Sequence, residues 1–148
     1  MNKICISSSS FILSKHPSWE KLSSSFDLNF DLVGNYSGAL LSKNKNEILV
    51  CILFASDLYD ENLNPYFNND QIKKICDPVL DLIVKRANYS KQPIIISFSS
   101  KSNDNLIISS FRIPSSQKIF EYFSNKINFL QKKNNNIFFI NIDNYFSE

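Results

Sequence analysis

Five short apolar runs, rich in β-branched and aromatic residues, punctuate the chain at Lys3–Ser7, Leu28–Val33, Ile48–Phe54, Ile94–Phe98 and Ile137–Ile142. Each has the length of a β-strand. Three of them, ILVCILF, IIISF and IFFINI, are near-continuous rather than alternating. A strand with one face in water shows a polar residue at every second position, so these runs predict strands covered on both faces, as in a parallel sheet. Parallel neighbours need long crossovers between them, and the intervening stretches carry a helical period. In Gln71–Arg86 the apolar residues fall at Ile72, Ile75, Cys76, Val79, Leu80 and Ile83, a stripe of period 3.6. Pro78 either kinks that helix or marks its first turn with Asp77 as N-cap. Ser115 and Ser116 suit the cap of another helix, whose apolar face is Ile119, Phe120, Phe123, Ile127 and Leu130 and whose last turn is Lys132-Lys133. Pro17–Phe26 and Tyr36–Lys43 read as two shorter helices.

The order is therefore β-α-β-α-β-α-β-α-β. Right-handed crossovers make a three-layer α/β/α sandwich the natural solution for this α/β chain, and of the strand orders they permit the flavodoxin- or SGNH-like 2-1-3-4-5 is the first choice for its five-stranded parallel sheet. At 148 residues, 43% hydrophobic, the chain suits a single domain over 1–148. Little room follows the fifth strand for a closing helix, so this end is expected to be an edge that meets something else.

Composition narrows the chemistry. Gly34 and Gly38 are the two glycines, too few for a G-x-G-x-x-G dinucleotide turn or a G-x-x-x-x-G-K-[ST] phosphate loop. Asn and Ser exceed a quarter of the residues and threonine is absent, but the bulky apolar content is too high for a disordered chain. A formal charge of +2, with the basic pairs Lys73-Lys74, Lys85-Arg86 and Lys132-Lys133 in separate segments, does not make a nucleic-acid-binding face. Cys5, Cys51 and Cys76 sit in apolar patterns without C-x-x-C spacing and read as core thiols, and one histidine, His16, leaves no metal-ligand set. No cofactor is implied. Ser7-Ser8-Ser9-Ser10 interrupts any export signal, and the longest apolar stretch, Ile48 to Ala55, is less than half a membrane span. The expectation is a cytoplasmic protein with no membrane partner.

Ligands of open parallel sheets bind beyond the carboxyl ends of the strands, where strand order reverses. Those ends carry Ser8, Ser9 and Ser10 after the first strand, Tyr36 and Ser37 after the second, Ser56 and Asp57 after the third, Ser100 after the fourth and Asp143 after the fifth. Such a rim is a candidate binding surface, although loops are polar in any fold because their backbone needs hydrogen-bonding neighbours.

The segment KICISSSSFIL, a strand running into a serine turn, resembles the first block of SGNH-type hydrolases, where a strand ends in Gly-Asp-Ser. That triplet falls on Ser8-Ser9-Ser10, which puts Ser10 at the nucleophile position. The Gly-x-Asn-Asp block falls on Phe54-Ala55-Ser56-Asp57, so Ser56 replaces the oxyanion-hole asparagine, and the Asp-x-x-His block has no histidine to supply it. A serine nucleophile needs a base within reach, and His16 follows the first strand too closely for that role. With Pro17 it suits the start of a helix instead.

Over its whole length the chain is similar to the N-terminal domain of FkbH-like proteins, which join a degenerate SGNH-like domain to a phosphatase-like domain of the haloacid dehalogenase (HAD) superfamily. The likeness rests on the order of Ile4–Phe11, Trp19–Val33, Asn35-Tyr36-Ser37, Leu53–Leu58 and Asn136–Asp143. It implies a phosphatase-like half following this domain in relatives, and the D-x-D-x-[TV] motif of that half is absent here. The resemblance also implies a setting, the loading of a phosphoglycerate-derived unit onto an acyl carrier protein, or polyketide or surface-glycan biosynthesis. The expected function is thus a non-catalytic docking module for a HAD phosphatase-like domain or protein, with an acyl carrier protein as a further partner. The alternatives are an active serine esterase using Ser10 and a receiver-like signalling domain using Asp57, which would lack the usual acidic pair after the first strand.

Overall fold

The computed structural model describes residues 2–10, 16–42, 44, 46–58, 68–99 and 115–141. Strands β1 (Lys3–Ser8), β2 (Asp27–Phe30), β3 (Glu47–Phe54), β4 (Ile94–Ser99) and β5 (Ile137–Asn141) alternate with helices α1 (Pro17–Ser23), α2 (Tyr36–Leu41), α3 (Asn69–Tyr89) and α4 (Ser115–Lys133). All strand pairs are parallel and the order is β2-β1-β3-β4-β5. The fold is the α/β arrangement expected from the sequence.

Register explains which side chains meet. Cys5 lies level with Leu49, and Leu49 with Ile94, which is level with Ile137, so alternate residues from there form one sheet face. Cys5, Leu49, Cys51, Leu53, Ile94, Ile96, Phe98 and Ile137 are buried on that face against α2, α3 and α4. Phe98 stacks on Phe123 at 4.3 Å and 12° and on Phe120 at 5.8 Å and 28°. The opposite face carries Phe30, against which Trp19 of α1 packs edge-on at 5.4 Å and 80°. The three layers are therefore α2–α4, the sheet, and α1.

Several local readings change. Helix α3 runs unbroken through Pro78 and starts eight residues before Asp77, where Asn68 and Gln71 form a reciprocal capping box. Asp77 is thus no N-cap; its carboxylate accepts a 2.7 Å hydrogen bond from the Tyr122 hydroxyl of α4. Pro78 is exposed, so the carbonyl its ring leaves without an N–H partner faces water. Strand β2 stops at Phe30, three residues short of Val33, and Leu32 and Val33 are exposed in the turn leading to α2. Helix α1 likewise stops at Ser23, short of Phe26, and α2 at Leu41, short of Lys43. In β5 the unbroken apolar run does not mean two covered faces, because Phe138 and Ile140 remain 46% and 41% exposed. The side chains of Ser115 and Ser116 lie outside the described residues.

Two contacts tie helices to the chain around the sheet. Arg86 of α3 is 2% exposed, and its guanidinium donates to the carbonyl oxygens of Ser42 at 2.7 Å and Asn44 at 2.8 Å, tying down the turn between α2 and β3. At the β5 margin of the sheet, the outward N–H of Phe139 donates to Gln131 Oε1 of α4 at 2.9 Å. Cys5, Cys51 and Cys76 are buried free thiols, as their apolar settings predict. No described helix is long and apolar enough to cross a membrane.

Candidate functional site

Strand β1 lies between β2 and β3, so the chain leaves β1 toward one side of the sheet and later returns on the other. The carboxyl ends of β1 and β3 lie side by side at this reversal. Pairing runs to Ser8 opposite Ile52, and Ser9 extends it by donating its N–H to the Ile52 carbonyl at 3.0 Å. Beyond Phe54 the chain makes a single 3-10 turn, Ala55–Leu58, anchored by the fully buried Ala55. That turn brings Asp57 back over the serines that follow β1.

The result is a compact hydrogen-bonded cluster. Ser9 Oγ and Ser10 Oγ both donate to Asp57 Oδ2, each at 2.7 Å. Ser9 Oγ also accepts from the Phe54 N–H at 3.0 Å, which locks the end of β3 to the turn after β1. Distances this short are typical of hydroxyls donating to a carboxylate. Ser8 is 3% exposed and lies within the strand rather than on the rim; its hydroxyl accepts from the Ser10 N–H at 3.2 Å and its carbonyl from the Gly34 N–H at 2.8 Å. Gly34 makes that contact at φ 80°, in the left-handed region where a side chain costs energy.

Tyr36, the first residue of α2, is half-buried. Burial pushes its phenol above its ordinary value of 10.0, the negative charge of Asp57 adds to the shift, and a hydrogen bond with Ser37 opposes it. Tyr36 therefore belongs electrostatically to the Asp57 cluster. Ser37 is exposed, and Ser56 is half-buried beside Asp57 on the 3-10 turn. Ser100 and Asp143 lie outside the described residues.

For acyl transfer the cluster has the wrong connections. The Ser9 and Ser10 N–H groups, which would face an oxyanion at such a turn, are directed to Ile52 O and Ser8 Oγ. His16 caps α1, its Nδ1 accepting from the Ser18 N–H at 3.2 Å, which is the helix-starting role its Pro17 neighbour suggests. Among the described residues no group of three His, Cys, Asp or Glu side chains could hold a metal ion. What the arrangement does is fasten the serine turn to the end of β3 through one carboxylate oxygen. The sequence places Ser9, Ser10 and Asp57 on one rim, but not that Ser9 shares the carboxylate equally with Ser10, nor that Tyr36 feels its charge. Gly34, one of only two glycines and sited at a strand end, is the signal that a tight approach to β1 occurs there.

No family model matches the chain, and no curated protein is similar to it in sequence. A solved structure with the same fold is the N-terminal part of the protein BF1531 from Bacteroides fragilis, which contains a phosphatase domain and is complexed with Mg. The similarity has a TM-score of 0.65 at 10% identity and covers 95% of this chain. This chain spans 40% of the length of that one. At this identity the likeness is one of fold.

Proposed function

We propose that the chain is a non-catalytic SGNH-like domain that docks against a HAD phosphatase-like domain, and that this pairing serves the loading of a phosphoglycerate-derived unit onto an acyl carrier protein. The observation that carries the non-catalytic part is the serine turn itself: both candidate hydroxyls end on Asp57 Oδ2 and their N–H groups are engaged, while His16 is taken up in capping α1. The choice of partner draws support from the whole-domain likeness to a protein that contains a phosphatase domain.

The test is an affinity pull-down with a phosphatase-like domain from the same source, followed by addition of its acyl carrier protein. Retention of the phosphatase-like domain at near-stoichiometric yield is expected; no retention overturns the docking role. Retention of that domain with no capture of the carrier removes the loading assignment and leaves the docking role standing.

A second reading has one observation in its favour, the 2.7 Å contact of Ser10 Oγ with a carboxylate that could accept its proton. An esterase of this kind is labelled by a fluorophosphonate and loses turnover of a simple acyl ester in Ser10→Ala. The docking reading expects neither labelling nor turnover.

A further inference from the structure

We propose that the cavity between α1 and the edge strand β2 binds a small trimethylammonium compound of choline size. The cavity measures about 280 Å³ and shares no residue with the Ser9–Asp57 cluster. Its apolar walls include Trp19, Phe26 and Phe30, and Glu20 and Asp27 add carboxylates. Each of the three aromatic residues is half-buried, and both acids are exposed, so the carboxylates stay hydrated and charged. Trp19 and Phe30 meet edge to face, 5.4 Å between centroids and 80° between planes, so they line the cavity as a contacting pair rather than a flat stack.

That combination selects among ligands. Ring faces attract cations, and the two carboxylates reinforce the attraction while repelling anions. A lysine-type ammonium is compact and strongly hydrated, so it loses much of this gain on leaving water. A quaternary ammonium spreads the same charge over methyl groups that also fill apolar walls, and it gives up no N–H hydrogen bonds. Helix-on-strand packing alone would explain three aromatic side chains here, but it predicts no preference for charge.

The chain contains one tryptophan, so Trp19 emission reports on this cavity alone. The intact chain is titrated with choline at constant ionic strength, and in parallel with its neutral isostere 3,3-dimethyl-1-butanol, while the Trp19 indole N–H is followed by NMR. Choline should produce a saturable change with a Kd on the order of millimolar, and the isostere should not. Phe30→Leu, Phe26→Leu and Glu20→Gln, each shown to be folded by circular dichroism, should weaken choline binding about two- to fivefold apiece. Equal responses to choline and the isostere overturn the proposal, as does the absence of a saturable change in both the emission and the indole resonance.

Discussion

Replacing Arg86 by methionine removes a charge from the interior while keeping most of the volume of its stem, and so weighs two opposed terms. Arg86 is 2% exposed, and its guanidinium makes bonds of 2.7 and 2.8 Å to two carbonyls of the α2–β3 turn. Hydrogen bonds from a charged donor contribute about 1.5–3 kcal/mol each, so the pair is worth roughly 3–6 kcal/mol before offsets. Against this stands the cost of stripping water from a buried cation, several kcal/mol even after relaxation. Ser42 is half-buried and Asn44 exposed, so their carbonyls recover water once the donor is gone. The net expectation for Arg86→Met is a loss of about 1–2 kcal/mol. Arg86→Ala also forfeits the packing of the stem and should lose about 2–4 kcal/mol. Arg86→Lys is the diagnostic member: it keeps a buried charge but reaches at most one carbonyl well, so it should be less stable than Arg86→Met. Urea unfolding followed by Trp19 emission measures all three, and with slopes of about 1–3 kcal/mol per molar a 2 kcal/mol loss moves the midpoint by roughly 1 M. A methionine variant as stable as the parent would refute the view that two directed bonds outweigh desolvation, and a lysine variant more stable than the methionine one would refute the view that both bonds are needed to do so.

Phe98→Ala empties the stack on Phe123 and Phe120 and should cost about 3–5 kcal/mol in the same assay. Gly34→Ala meets no atom within 4 Å, so its expected cost of about 1–2 kcal/mol is purely that of an L-residue at φ 80°; a neutral result would show that the turn relaxes freely. Pro78→Ala restores an N–H inside α3 and should raise the thermal midpoint, corresponding to about 1–3 kcal/mol. Burial raises the thiols of Cys51 and Cys76 to about 12 and that of Cys5 to about 11, from an ordinary 9.0. Above pH 9 the unfolded chain therefore holds fewer protons than the native one, so stability is full below pH 9 and falls as pH rises through 11 to 12. Urea midpoints that stay flat between pH 8 and 11 would contradict this.

The framework was legible because it depends on patterns that survive without partners. Near-unbroken runs such as Ile48–Phe54 and Ile94–Phe98 become the inner strands β3 and β4, and right-handed crossovers narrow the orders in which they can pair. Other features depend on contacts distant in sequence. Asp77-Pro78 has the local appearance of a helix start, yet tertiary packing of Ile72 and Cys76 and the Asn68 cap carry α3 through it. Leu32 and Val33 have strand propensity, but among the described residues no neighbour covers them. Within the candidate site, residue types and strand ends were readable, since topology alone places Ser9, Ser10 and Asp57 on one rim. Which hydroxyl meets which oxygen follows from one 3-10 turn, and no spacing rule encodes that.

The bond from the Phe139 N–H to Gln131 bears on how the protein behaves in a crowd. Strand β5 reads IFFIN, uncharged and strongly β-forming, and it lies at the margin of the sheet with Phe138 and Ile140 partly in water. Such a margin invites another chain to add a strand. Here an outward donor already has an acceptor from its own molecule, so an incoming strand must first displace Gln131. The helix that covers one face of the sheet thus also occupies a donor on its β5 rim, through an exposed amide that takes no part in the core.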